Sequence, residues 1–396
     1  MEIQTCDNCG KTNAKSQCSR CKSVYYCNRE CQIACWKQHK KICNSSPQAF
    51  SYEEKINKIH DIITTTEAGN GEEIKNLIVQ GDLLSSAEKL ARLERSSYSA
   101  RQRPQVIILA GSPSCVGLTP PTESDGLASI ALGLAIIRLG FNVTFITEKC
   151  NESVFRAAVE GVKTAQYSPN PMMRDVPFPM DEYSRMKLHF VQSPILSSED
   201  EEELDLKYFH KADLVISCGR PGPAADGNCY TLAGINMTEK DLIAPLHNIV
   251  SDFKDHGMQD RRKFIAIGDG GNKLGMGKVK DKVYKQCGEQ IGAVDTIDGK
   301  NLVADYLIAA SVSNWGTYAL IAAAALVRAH DSKDRNWIKA VLPTEESERA
   351  LLDRCVGAGC RDGVSVENAA TVGGMPVERS LKCLREIRKV ALGHGD

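Results

Sequence analysis

The sequence has almost no bias of charge. Its 49 Lys and Arg face 50 Asp and Glu, for a formal net charge of −1. That balance argues against the cationic surface that holds nucleic-acid phosphates, and no nucleic-acid partner is expected. Aromatic residues are scarce at 6%, while Gly and Ala are frequent beyond position 105. This mix suits an α/β domain better than a β-sandwich. No apolar run approaches the roughly 20 residues of a bilayer span, and the best stretch, Leu320–Val327, is short and Ala-rich. The opening MEIQTCDNC has neither an apolar core nor an Arg-rich presequence. A cytoplasmic or nuclear location, with no membrane segment, is therefore expected.

Cysteine is abundant, and unevenly so. Eight of the 16 lie within the first 43 residues, and the rest are scattered singly. Scattered thiols in a chain of this length read as a reducing compartment. The early ones follow the spacing Cys6-x2-Cys9-x8-Cys18-x2-Cys21-x5-Cys27-x3-Cys31-x7-His39-x3-Cys43. Zinc takes four such ligands in a tetrahedron, and C-x2-C knuckles supply them in pairs. Eight ligands make two closed sites, and closed sites are structural rather than catalytic. A disulfide cluster is the lesser alternative. About 40 residues cannot bury a stable core alone, whereas zinc supplies roughly 10–16 kcal/mol in comparable peptides.

Beyond the finger, Asn44–Ser51 is polar and holds Pro47, as a linker would. The expected layout is a finger over 1–44, a linker over 45–51 and one large domain over 52–396. Helical periodicity runs through Ile56, Ile59 and Ile63, then Ile74 and Leu77, then Leu84, Ala87 and Leu90. From 106 onward short apolar runs alternate with helical patterns. Strands are expected at Val106–Ala110, Asn142–Thr147, Leu188–Gln192, Asp213–Cys218, Phe264–Ile267 and Leu307–Ala310. Helices are expected at Leu127–Leu139, Glu239–Phe253, Lys278–Gln286, Trp315–Arg328, Thr344–Val356 and Val377–Val390. Such alternation predicts a doubly wound, largely parallel sheet with helices on both faces. The acidic run Ser198–Asp205 reads as a solvated loop or helix start.

In open α/β sheets, ligands sit at the carboxyl ends of strands. Four polar, Gly-rich stretches fall there: Gly111–Gly126, Cys218–Tyr230, Gly268–Lys278 and Ala310–Tyr318. Together they predict one composite small-molecule site. Gly268–Lys278 is not a Walker loop, because Val279 follows Lys278. Nor is it G-x-G-x-x-G, because Lys273 stands where the third Gly belongs. Trp315 and Tyr318 read as core, and His189, His210 and His247 as ordinary. Cys218 and Cys229 flank the expected site with no paired His, which disfavours a thiol nucleophile.

Two resemblances add to this. With YYC at Tyr25–Cys27 and CQxxxWKxHKxxC at Cys31–Cys43, residues 6–43 resemble a MYND-type zinc finger. That family interleaves its pairs. The resemblance implies Cys6, Cys9, Cys27 and Cys31 on one Zn²⁺, and Cys18, Cys21, His39 and Cys43 on the other. Cys35 is then a non-ligand. The family docks short Pro-containing peptides, so the helix carrying Trp36, Lys37, Lys40 and Lys41 is expected to meet a protein partner; a plain solvated face reads equally well. Some lysine methyltransferases carry this finger, but no Asn-His-Ser-Cys-like stretch is present.

AADGNCY (Ala224–Tyr230), IGDGGNKLGMGKV (Ile267–Val279), ADYLIAASVSNWGTYAL (Ala304–Leu320), DGVS (Asp362–Ser365) and TVGGMP (Thr371–Pro376) are similar to the C-terminal domain of D-glutamate cyclase. The similarity spans roughly residues 52–392. It implies an acidic amino acid closed to 5-oxo-D-proline with loss of water. Such closure needs a base for the amine, an electrophilic carboxyl and donors for the oxyanion. Asp226 and Asp269 are candidates to bind the ammonium and act as base. Arg220 or Lys278 would anchor a carboxylate. Backbone amides of Gly270 and Gly271, with Asn272, would hold the oxyanion. Asn228, Ser313 and Asn314 would orient the substrate, and Glu123 and Asp125 would join the site or bind a divalent Mn²⁺ or Mg²⁺. Each of these Asp and Asn residues is equally a possible loop or helix cap. The competing function is a non-catalytic, metabolite-binding scaffold that recruits partners through the finger.

Overall fold

The computed structural model describes residues 5–18, 24–43, 51–65, 71–94, 103–165, 185–193, 212–255 and 262–393. The chain divides into two compact units, Met1–Glu54 and Lys55–Asp396. In the first, a two-residue antiparallel ladder pairs Ser16–Gln17 with Tyr25–Tyr26. Helix α1 (Arg29–Cys43) follows. The core is a handful of side chains, Cys6, Ala14, Cys18, Tyr26 and Cys35, with Trp36 packed against them. So small a core needs a staple.

The second unit is built on six strands: β1 (Gln105–Ala110), β2 (Asn142–Glu148), β3 (Met186–Val191), β4 (Leu214–Cys218), β5 (Lys263–Gly268) and β6 (Tyr306–Ala309). They lie in the order β3-β2-β1-β4-β5-β6, and every neighbouring pair is parallel. β1 reads VIILA after its first residue and is buried throughout that run. A parallel strand covered on both faces needs that unbroken apolar character. The chain winds outward from β1 to β3, then returns to β4 beside β1. The reversal opens a crevice at the carboxyl ends of β1 and β4, where such sheets bind ligands.

Helices cover both faces. On one side lie α3 (Gly71–Leu77), α7 (His247–Asp255) and α8 (Lys280–Cys287). Their Leu77, Ile249, Val250 and Val283 share a core with Val215, Phe264 and Leu274. On the other lie α4 (Asp82–Ala91), α5 (Ser129–Arg138) and the long α9 (Ser313–Ser332). The Ala319–Ala325 stretch of α9 is fully buried, and small side chains let neighbouring helices approach it closely. α10 (Asn336–Val341), α11 (Glu345–Gly357) and α12 (Val377–Leu392) pack behind α9. Trp315 is core, as expected, and its Nε1 donates to Ser380 Oγ on α12 at 2.9 Å.

Most expected elements recur within a few residues. The expected helix over 239–253 begins only at His247. Pro245 disfavours helical backbone in the residue before it, and Asp241 takes a left-handed φ of 55°. α2 (Tyr52–Ile63), α6 (Glu152–Ala165) and α10 complete the α-helices among the described residues; the last two have no counterpart in the sequence reading. The acidic run at 198–205 and His210 lie outside the described residues. No described helix is long and apolar enough to cross a membrane.

One buried acid outside the crevice gives a pH signature. Glu348 on α11 is 6% exposed. Burial pushes its carboxyl up to about 7, opposed by a hydrogen bond with Tyr318. A folded-state value above the unfolded one means stability is fullest at low pH and is lost as pH rises through about 7. Glu348→Gln removes this dependence on pH. Between pH 5 and 7 the wild type should lose roughly 1 kcal/mol per pH unit more than the variant, measured by urea unfolding at several pH values.

Candidate active site

The crevice is closed at its base by glycine. Gly126, in the β1–α5 connection, and Gly219, just after β4, both have left-handed φ values (88° and 60°). A Cβ on Gly219 would stand 3.1 Å from Gly126 Cα and 3.2 Å from Ser313 Cβ. Only Gly allows both this backbone geometry and this approach. Three connections therefore meet where α9 begins.

Asp125 ties the first of these connections to the start of α9. Its Oδ2 accepts from Ser313 N at 3.0 Å, and its Oδ1 accepts from Asn314 N at 2.8 Å and Gly126 N at 3.0 Å. The carboxylate thus satisfies the first amides of α9 and sits at the positive end of its dipole. Burial and then the nearby Asp269 push Asp125 up to about 7, against the pull of Lys273. Asn314 returns the connection. Its Oδ1 accepts from Gly126 N and Ala128 N, each at 2.9 Å, and its Nδ2 donates to Ser124 O at 3.1 Å.

Above this base sits a buried cation. Lys273, in the loop after β5, is 5% exposed. Its Nζ lies 3.3 Å from Glu123 Oε1 and 3.9 Å from Asp269 Oδ1. Burial alone would lower its pKa, but Glu123, Asp269 and Asp125 together hold it above the ordinary lysine value. Ser313 Oγ donates to Asp269 Oδ1 at 3.0 Å. Backbone pairing fixes the loop: Leu274 N donates to Arg220 O and Gly222 N to Asn272 O, both at 2.9 Å. Glu123, Asp125, Asp269, Lys273 and Ser313, from connections after β1, β5 and β6, thus form one cluster.

Other candidates have different surroundings. Asn272 is 2% exposed; its Nδ2 donates to Tyr230 O at 2.8 Å, while its Oδ1 is buried with no partner. Gly271 N is taken by Asp269 O at 2.6 Å, and Leu232 lies over Gly270. Asp226 and Asn228 form an exposed turn of their own. Asp226 accepts from Asn228 N, Asn228 Nδ2 and Tyr230 Oη, at 3.0, 2.9 and 2.5 Å.

Two expected anchors are placed elsewhere. Arg220 is 1% exposed and spans Glu148 at the end of β2, with Nη1 3.0 Å from Oε2. Its Nη2 also donates to Ala244 O at 2.8 Å. The guanidinium is spent on this buried pair, not offered to a ligand. Lys278 Nζ lies 2.7 Å from Asp82 Oδ2 and 2.5 Å from the carbonyl of Asp305, at the amino end of β6. That is the opposite end of the strands from the crevice. The cation in the cluster is Lys273, which the sequence reading noted only as the residue that spoils a nucleotide loop.

In the finger, the ligand atoms of Cys6, Cys9, Cys27 and Cys31 all lie within 4.8 Å of one another. Cys9 Sγ is 3.5 Å from Cys27 Sγ and 3.9 Å from Cys31 Sγ. Zn–S bonds of about 2.3 Å in a tetrahedron set sulfur edges of about 3.8 Å. The four thiols therefore fit one zinc, in the interleaved grouping. His39 Nε2 lies 3.4 Å from Cys18 Sγ, as two ligands of a second ion would. Their companions Cys21 and the Cys43 side chain lie outside the described residues. Cys35 is turned into the core, where its Sγ meets Asp7 Oδ2 at 3.5 Å.

The structure is a doubly wound α/β sheet with an acidic, lysine-centred cluster at its switch point, the place where open sheets of this kind bind ligands. The chain belongs to the D-glutamate cyclase-like C-terminal family, which matches residues 59–388. The MYND finger family matches residues 6–43. Among known proteins, the chain is 27% identical over 350 residues to the human protein named D-glutamate cyclase, mitochondrial; the match covers 83% of this chain and 50% of that one. The chain thus spans half the length of this relative. The finger is 49% identical over 39 residues to the Drosophila melanogaster zinc finger MYND domain-containing protein 10 homolog, covering 10% of this chain and 8% of that one. It is 43% identical over 49 residues to human Egl nine homolog 1, covering 12% of each.

Two outcomes follow. The purified chain should hold about two zinc ions by elemental analysis; Cys35→Ser should keep both and Cys9→Ser should lose one. Glu148→Gln should destabilise the fold by about 3–5 kcal/mol, because it leaves a buried guanidinium without its counter-charge; denaturant unfolding reads this.

Proposed function

We propose that the α/β unit closes D-glutamate to 5-oxo-D-proline with loss of water. The observation that carries this reading is the buried Lys273 ammonium between Glu123 and Asp269. Family membership and likeness to the human cyclase support the choice of reaction.

In lactam closure the α-amine nitrogen bonds to the γ-carboxyl carbon, and one C–O bond breaks. The two protons lost by the ammonium leave with that oxygen as water, so no other reactant is needed. Asp269, with a side chain 14% exposed, takes the first proton. Ser313 Oγ, bonded to it, fixes its orientation. Asn272 Oδ1, whose amide is oriented by Tyr230 O, accepts from the substrate nitrogen. Lys273 draws in the γ-carboxylate and offsets the charge of the tetrahedral adduct. Both reacting groups belong to one molecule, so holding the folded conformer supplies much of the rate; effective molarities reach about 10⁵–10⁸ M.

A divalent cation fits this cluster poorly. Lys273 already supplies the positive charge, and the four finger cysteines are the only converging set of metal-ligating atoms among the described residues. No step is routed through Mn²⁺ or Mg²⁺. The finger acts as an adaptor for a peptide partner. Ile33 on α1 is 65% exposed, which suits that role. A cytoplasmic or nuclear location belongs to this reading, although the human relative is named as mitochondrial.

The full chain is incubated with D-glutamate, with and without Mn²⁺ or Mg²⁺, and 5-oxoproline is followed. Product should form without added metal. Lys273→Ala and Asp269→Asn should each lower kcat/KM by about 10²-fold or more. Binding without product supports the scaffold reading instead. A wild type that neither binds nor turns over D-glutamate removes the proposal.

A further inference from the structure

The cyclase-like motif at Asp362–Ser365 has no part in the site as described so far, yet it touches Glu123. The residues around Glu123 pair with Arg361 like two parallel strands. Ser124 N donates to Arg361 O at 2.8 Å, and Arg361 N donates to Thr122 O at 3.1 Å. The next residues turn sharply. Asp362 is fully buried and gathers the turn: its Oδ1 accepts from Val364 N, Ser365 N and Gly374 N at 2.7, 2.9 and 3.0 Å. Its Oδ2 accepts from Gly374 N at 2.9 Å. One carboxylate thus ties the turn to the Gly373–Gly374 hairpin. Val366 is held at φ 61°, a left-handed conformation that a β-branched residue rarely adopts. Strain of this kind persists only where the surroundings enforce it.

Gly363 is pressed against the cluster. A Cβ there would stand 2.0 Å from Glu123 Oε2 and 3.3 Å from Glu123 Cβ. Its backbone lies outside the left-handed region, so what a side chain there would displace is the Glu123 carboxylate, and local geometry does not oppose it. The other Glu123 oxygen faces Lys273 at 3.3 Å.

The geometry points to Asp362 and Gly363 as positioning residues: the C-terminal turn sets where the Glu123 carboxylate lies, and through it where the Lys273 ammonium lies. This rests on the cyclase reading for its effect on turnover, but not for the contact itself. A methyl at position 363 turns the Glu123 carboxylate away and leaves Lys273 drawn toward Asp269. The far end of a flexible side chain yields cheaply, so the fold survives while the charge is misplaced.

The test is a double-mutant cycle on the full chain with Gly363→Ala, Glu123→Ala and both. Gly357→Ala is the control, since nothing lies within 4 Å of a Cβ there. Gly363→Ala should lower Tm by roughly 2–4 °C. In the Glu123→Ala background it should lower Tm by far less, because the carboxylate it strikes is gone. Additive shifts, or a Gly363→Ala shift no larger than that of Gly357→Ala, overturn the inference. For turnover of D-glutamate, Gly363→Ala should cost about 10²-fold in kcat/KM, mostly in kcat. An unchanged kcat in a wild type that turns over also overturns it. The Tm cycle judges the contact and the wild-type assay judges the reaction, so the two can fail separately.

Discussion

A lysine ammonium taken out of water must be neutralised where it lies, and Lys273 is such a group. An unpaired buried charge costs several kcal/mol, and good geometry with counter-charges is what offsets it. Glu123 and Asp125 come from the connection after β1, and Asp269 from the end of β5. The lysine can be satisfied only when these connections close on one point. Asp125 also caps α9, so closure of the cluster and docking of that helix are one event. The Gly126–Gly219 crossing allows the approach, and a side chain at either position would be strained by left-handed backbone and crowded at 3.1 Å.

A second buried charge pair makes the same point with a different outcome. Arg220 and Glu148 neutralise each other and use further donors and acceptors at Ala244. Asn151 and Thr147 add donors to the Glu148 carboxylate. Both Glu148 oxygens and both terminal nitrogens of Arg220 have partners, so the pair braces the ends of β2 and β4. The Lys273 cluster differs. Its carboxylates outnumber its cation, and Asn272, next to Lys273 in the chain, has a buried Oδ1 with no partner. An excess of acceptors in a closed crevice is suited to a ligand that brings its own ammonium.

The positions of the strands and the finger were legible in the sequence because their signals are local. Unbroken apolar runs mark buried parallel strands, and knuckle spacing marks zinc. The loops that hold Asp125, Asp269, Asn272 and Ser313 were legible too, because they end strands in polar, Gly-rich stretches. What each side chain does there was not. Arg220 looks like an anchor until Glu148, 72 positions earlier, is brought beside it. Lys278 looks like a helix-start cation until Asp82 and the amino end of β6 claim it. Lys273 carried one local signal, its place four residues after Asp269 in a loop with buried Leu274 and Met276. Long-range pairing decided all three, and sequence spacing does not report it. The late start of α7 is the opposite case: Pro245 is a local signal that disfavours helix in the residue before it.

The most direct measurement is a crystal structure of the chain soaked with D-glutamate. The ligand should lie in the crevice between β1 and β4, with its ammonium about 3 Å from Asp269 and Asn272 Oδ1 and a carboxylate about 3 Å from Lys273 Nζ. Ligand bound at the Asp226 turn or beside Arg220, with the Lys273 cluster left empty at saturating concentration, would contradict this.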